Sequence, residues 1–234
     1  MGAKTEAVRR GLREMVRACP GLCAGSRLPY DVLPMQNCNG NRGGIVTKKD
    51  GCSDKYDAII ASMTQREKLC HVLCPRVPGD KAKIAQLLEK FPLGCAYFGE
   101  GKAAEVGARI RTYQSQSQHP LLTCMDIVWG PGKVLKDDCT FFPAPMAVGA
   151  ADSEELTYTM GQATAMQGRQ HGACVTFAPI ADINLNTRSP IVNMRAFGDA
   201  RRHVLKHASA FMRGVQQEGL MAATAKHFPG DGVD

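Results

Sequence analysis

Apolar residues recur along this chain in two rhythms. Five short runs, Cys70–Pro75, Leu93–Phe98, Leu121–Asp126, Ala173–Ile183 and Leu220–Phe228, are close to continuous in apolar side chains. Between them, residues 80–90, 103–116, 152–170 and 199–217 carry the three-to-four-residue spacing of one-sided helices. Each helical stretch is long enough to carry the chain back over a sheet, so the runs read as parallel strands joined by helical crossovers. Strands apolar on both faces belong to a sheet that is covered twice or closed on itself. Ahead of the first run, Thr64-x-x-Glu67 has the form of a capping box and predicts a helix start there.

Polar residues collect where the apolar runs end: Asp126, Asp182, Asn184, Lys226 and His227. An open doubly wound sheet would also bind its ligand at that rim. It would need a glycine-rich phosphate turn after its first strand, however, and no Gly-x-Gly-x-x-Gly follows the first run. The pattern therefore predicts an α/β fold of the TIM-type (β/α)8 barrel. A complete barrel takes about 250 residues, so residues 56–234 hold only about the first five βα units, and the chain reads as a fragment.

Residues 1–55 read as a poorly specified basic N-terminal extension. They hold ten Lys or Arg against five Asp or Glu, and so supply much of the net charge of +7. Val8, Leu12, Met15, Val16 and Cys19 mark a short docking helix, followed by a stretch rich in Gly, Asn, Lys and Pro without periodicity. No interleaving of aromatic and basic residues suits a nucleic acid. No apolar stretch is long enough for a bilayer and no hydrophobic leader follows the basic start, so the expectation is a cytoplasmic protein with neither nucleic-acid nor membrane partners.

Ten cysteines invite a metal or disulfide reading. Cys19, Cys23, Cys38 and Cys52 form an irregular series without a Cys-x2-Cys pair or a matching His. Cys70, Cys95, Cys124 and Cys174 fall in apolar runs, where thiols are usually buried and inert. No metal site is predicted, and Met146, Met160 and Met166 read as core filler.

Four segments in order, Leu121-Leu-Thr-Cys-Met-Asp126, Phe177-Ala-Pro-Ile-Ala-Asp-Ile-Asn184, Asn193-Met-Arg-Ala-Phe-Gly198 and Ala225-Lys-His-Phe-Pro-Gly230, resemble the N-terminal barrel domain of glycoside hydrolase family 3. That family includes β-N-acetylglucosaminidases and β-glucosidases. The likeness spans roughly residues 60–234, and its most specific piece is the terminal Lys-His-Phe-Pro-Gly-Asp-Gly. The resemblance implies that Asp126 grips sugar hydroxyls at the end of the third strand, with Arg195, Lys226 and His227 as further polar contacts to the same ring. A carboxylate facing cationic donors suits paired hydroxyls that both donate and accept.

Taken singly, each of these residues has a simpler structural role. Asp126 could cap a helix or pair with Arg195, Arg195 could be a solvated loop residue, and His227 a satisfied core histidine. Their joint placement at strand ends favours the sugar site. Asp182 is a further candidate at the rim, although an Asp there often caps the next turn. Trp129 is another, stacking on a sugar face or simply packing.

The chain departs from the family pattern after Asp126, where Ile127-Val-Trp-Gly-Pro-Gly132 replaces the common Glu and Gly pair. It departs again after Gly198, where Asp199-Ala200 replaces an acidic-Pro ending.

The resemblance further implies a glycosidase of the β-N-acetylhexosaminidase or β-glucosidase type that hydrolyses O-glycosidic bonds of β-linked N-acetylglucosamine or glucose with retention, without metal or organic cofactor. In the family the nucleophile is an Asp on a later strand. In its N-acetylglucosaminidase branch the proton donor is a His supported by an Asp. Both are expected beyond Asp234, so no catalytic residue is assigned within the chain, and by itself it is expected to be inactive. Its partners would be a small saccharide and, to cover an open sheet edge, a second copy or a C-terminal half. The alternative is a non-catalytic carbohydrate-binding or scaffold fragment of the same barrel.

Overall fold

The computed structural model describes residues 52–77 and 80–233. The predicted helix at 4–19 and the irregular cysteine series before Cys52 lie outside them. A four-stranded parallel sheet, ordered β1-β3-β5-β6, forms the centre. Its strands are β1 (Cys95–Tyr97), β3 (Leu122–Met125), β5 (Val175–Thr176) and β6 (Ala222–Ala223). Between β1 and β3 lie β2 (Gly101–Lys102) and a helix, and β2 pairs in parallel with β4 (Leu135–Lys136) to make a second, two-stranded ladder.

The helices in chain order are α1 (Cys52–Ser62), α2 (Gln65–His71), α3 (Lys81–Lys90), α4 (Ala103–Gln116), α5 (Pro145–Ala150), α6 (Glu154–Gln170) and α7 (Arg201–Val215). Four of the five apolar runs contain strands. The fifth, Cys70–Pro75, does not: its first two residues close α2, and sheet pairing is confined to one bridge, Arg76 with Tyr97. Local chemistry decides this, because the capping box forms in full. The Glu67 amide donates to Thr64 Oγ1 at 3.2 Å and the Thr64 amide donates to Glu67 Oε2 at 2.7 Å, which carries the helix into the apolar run. The parallel sheet is that of a (β/α) barrel, and the barrel is not closed.

Side chains from both layers fill one core. Ile84, Phe98, Tyr113, Met125, Ile127, Met160, Phe211 and Met221 are all fully or almost fully buried. Cys70, Cys124 and Cys174 are buried, Cys95 is half-buried, and none of these four is in a disulfide. Met160 belongs to the core, while Met146 and Met166 are only partly buried.

Helices α6 and α7 lie against each other so closely that a Cβ on Gly214 would stand 2.1 Å from the Tyr158 carbonyl oxygen. Among the described residues no helix is long and apolar enough to cross a membrane. Because Gly214 sets the separation of α6 and α7, Gly214→Ala is expected to cost about 1–3 kcal/mol through forced helix displacement. The expected readout is a lower urea midpoint with an unchanged slope.

Candidate active-site rim

The β-strands end at one rim, and the last described segment closes over it. After β6 the chain stays alongside the β5 segment: Lys226 N–H donates to the Pro179 carbonyl at 3.0 Å, and Ala181 N–H donates to the Lys226 carbonyl at 2.6 Å. This pairing fixes where the Lys226 side chain leaves the backbone. Its Nζ reaches Asp126 Oδ1 at 2.6 Å across 100 residues of sequence. Lys226 is 17% exposed and Asp126 36%, so the pair is anchored but open to a ligand. One ammonium on Oδ1 leaves the second carboxylate oxygen for hydroxyl groups.

Asp182 has a different position from the one its place at a strand end suggests. Its side chain is fully buried beneath residues 227–231. One oxygen accepts from the His227 amide at 3.1 Å and faces His227 Nδ1 at 2.7 Å, and the other accepts from the Asp231 amide at 2.8 Å. Burial pushes the carboxyl upward, but the bonds from the Asp231 amide and from His227 outweigh it, and Asp182 titrates below the ordinary aspartate range. An ionised Asp182 accepts the Nδ1 proton of His227, which fixes the 30%-exposed imidazole and leaves Nε2 uncommitted to Asp182.

The same loop is held at its far end, where Leu185 and Asn186 amides donate to the Gly232 carbonyl, each at 3.1 Å. A Cβ on Gly232 would stand 2.1 Å from the Ile183 carbonyl oxygen, so only glycine fits that approach. The Lys226–His227 and Phe228–Pro229 peptide bonds are both cis.

Arg195 sits in a single 3-10 turn, Asn193–Arg195, and its guanidinium donates to the Ile191 carbonyl of its own loop at 2.9 Å. It is not the partner of Asp126, which Lys226 takes. The loop is nevertheless tied to the sheet, since Asn184 N–H donates to the Gly198 carbonyl at 3.0 Å. Trp129 packs on the core, with Lys133 Nζ 5.8 Å from its ring centroid, so its observed contacts are those of a packing residue.

Sequence reasoning passed over an aromatic pair. Tyr97 ends β1 and Phe177 follows β5. Their rings stack at 6.0 Å with an 8° interplanar angle. Both lie on the sheet face that carries Asp126, because parallel register aligns Tyr97 with Cys124 and Cys124 with Val175. Burial first, and then the charge of Asp126, raise the Tyr97 phenol. Alternation within each run is visible in the sequence, but only the register between strands brings the two rings to one face. A cavity of about 630 Å³ bordered by Glu67, His71, Leu88, Leu93 and His119 opens at the opposite end of the strands and includes none of these residues.

The model of the "Glycosyl hydrolase family 3 N terminal domain" matches residues 64–234. The chain belongs to glycoside hydrolase family 3. It is 31% identical over 176 residues to a β-N-acetylglucosaminidase/β-glucosidase of Cellulomonas fimi, covering 75% of this chain and 31% of that protein. A β-hexosaminidase of Vibrio cholerae is 39% identical over 91 residues, covering 39% of this chain and 27% of that protein.

Among solved structures, the β-glucoside phosphorylase BglX superposes with a TM-score of 0.70 at 30% identity, covering 77% of this chain and 32% of that one. A family 3 β-N-acetylglucosaminidase from Paenibacillus sp. str. FPU-7 gives 0.66 at 27% identity, covering 73% and 34%. The chain thus spans about a third of the length of these relatives.

Asp182→Asn places an amide against the donors from His227 and Asp231. The expected loss is about 1–3 kcal/mol, with faster amide exchange at His227 and Asp231. Because the native carboxyl is depressed, its contribution is complete above the unfolded aspartate range, near pH ~4, and fades as pH falls through the native value. The variant should lose that part of the acid-stability slope, read by denaturation between neutral and acid pH.

Proposed function

We propose that this chain supplies the sugar-binding rim of a family 3 glycosidase acting on β-linked N-acetylglucosamine or glucose. The observation that carries the reading is the Asp126–Lys226 pair at 2.6 Å, partly open and beside His227. Asp126 offers a carboxylate oxygen to neighbouring hydroxyls, while Lys226 and the partly exposed His227 offer polar contacts to the same ring. The Tyr97–Phe177 stack gives an apolar floor, and Arg195 is a further contact only if its guanidinium releases the Ile191 carbonyl it now holds. Asp182 acts as a positioning residue: it holds His227 and makes no sugar contact.

Hydrolysis with retention needs a carboxylate nucleophile and a separate proton donor. At this rim Asp126 is committed to Lys226 and Asp182 is enclosed under the loop, so neither is placed to attack an anomeric carbon. The chain binds and orients; a nucleophile and a proton donor come from elsewhere in the assembled enzyme. The names of the relatives support the substrate class, and the resemblance of the Lys226–Gly230 segment supports the N-acetylglucosaminidase branch. Free described thiols support a reducing, cytoplasmic setting. The outer edge of β6 has no strand partner among the described residues, which supports a second copy or a C-terminal half as its cover.

N-acetylglucosamine titrated into the protein and followed by NMR is expected to saturate. Asp126→Ala and Lys226→Met should each weaken binding by about tenfold or more, equivalent to roughly 1.4 kcal/mol. Wild-type affinity in both variants would refute the rim as the sugar site. Aryl β-N-acetylglucosaminide and β-glucoside, offered with and without inorganic phosphate, should not be turned over by the 234-residue chain. Robust turnover would overturn the division between binding and chemistry.

A further inference from the structure

The N-terminal ends of α6 and α7 bring together three side chains that the proposed sugar site does not use. Asp152 precedes α6, and His203 and His207 stand four apart on one face of α7. Asp152 Oδ1 lies 3.6 Å from His203 Nδ1 and 3.5 Å from His207 Nε2. One ligand atom from each of the three residues falls within 4.8 Å of the others.

The remaining ring nitrogens fix the tautomers. His203 Nε2 is 3.0 Å from the Gly149 carbonyl, which only accepts, so Nε2 carries a proton and Nδ1 is the nitrogen that faces Asp152 and can offer a lone pair to a metal. Thr157 Oγ1 donates to the Ser153 carbonyl at 3.0 Å and therefore accepts from His207 Nδ1 at 2.7 Å. This leaves the His207 Nε2 lone pair aimed at the same carboxylate. His207 is fully buried, and its Nε2 has no hydrogen-bond partner.

We propose that Asp152, His203 and His207 form a binding site for a divalent transition-metal cation of the Zn²⁺ class. Two neutral imidazoles four residues apart on a helix, with a carboxylate, make a donor set suited to such an ion. Bonds of roughly 2.0–2.2 Å give a tetrahedral edge of roughly 3.3–3.5 Å, which the 3.5 and 3.6 Å separations already approach. The second nitrogens of both rings are held by Gly149 and Thr157, as orienting partners of metal-bound histidines are.

One group opposes the ion. Lys206 Nζ lies 2.9 Å from Asp152 Oδ1, but Lys206 is 36% exposed and Asp152 57% exposed, so the ammonium can leave into solvent. The His207 ring also stacks on Phe197 at 5.7 Å. A bound ion would therefore tie α6, α7 and the loop carrying Arg195 into one unit.

The test is titration of metal-free protein with Zn²⁺ by calorimetry, and with Co²⁺ by visible absorption. Saturable binding of one equivalent is expected, with a rise in Tm and a cobalt spectrum free of thiolate charge-transfer bands. His203→Gln and Asp152→Asn, both at partly exposed positions, should weaken Zn²⁺ about tenfold or more, with folding checked by circular dichroism. Lys206→Met, which removes the competing ammonium, should tighten it. Unchanged affinity in the first two variants would overturn the proposal, as would weaker binding in Lys206→Met. So would a cobalt spectrum dominated by sulfur ligation, the signature of the Cys74, Cys95 and Cys124 thiols that also cluster.

Discussion

The 227–231 loop at the rim depends on one buried carboxylate. Asp182 has no solvent to ionise into, and its charge is sustained by donors from a segment 45 and more residues later: two from His227 and one from Asp231. A buried anion of this kind is tolerable only when its lone pairs are occupied. The loop and the anion therefore stabilise each other. Without the carboxylate the loop has little to pack against, since Phe228 at its tip is 99% exposed. Without the loop the charge is stranded.

This arrangement separates support from contact. Asp182 takes no part in the open surface, yet it decides which nitrogen of His227 carries a proton and where the ring points. Lys226, one residue earlier, is positioned by backbone pairing with the Pro179–Ala181 segment instead. Adjacent residues thus reach the rim by two independent means, a strand-like ladder and a buried ion. A rim that is to orient a ligand needs such rigidity, because small displacements of a binding group are costly to geometry.

Much of the fold was legible because period and composition agree. The helices at 80–90, 103–116, 152–170 and 199–217 are observed within two residues at each end. The strand at Cys70–Pro75 failed because a local cap outweighed an apolar run that could serve either structure. The pairing of Asp126 with Lys226 instead of Arg195 could not be read from spacing: it depends on the register of β6 beside β5, which no local pattern encodes. Asp182 was visible as a strand-end acid, but its enclosure follows from the path of a loop, and the same holds for the Asp152, His203 and His207 cluster. There the four-residue histidine spacing was present in the sequence, while its acidic partner lies some fifty residues earlier.

The span between Asp126 and Lys226 has a consequence for the order in which the protein is made. During synthesis Asp126 emerges with its strand, but its counterion is added one hundred residues later. Until β6 docks beside β5, the nascent chain carries a solvated carboxylate above an unfinished sheet. Long-range pairing of this kind is slow and comes late. A ribosome-bound intermediate stalled before Lys226 would then display folded helices and an exposed strand edge, with Asp126 still lacking its counterion.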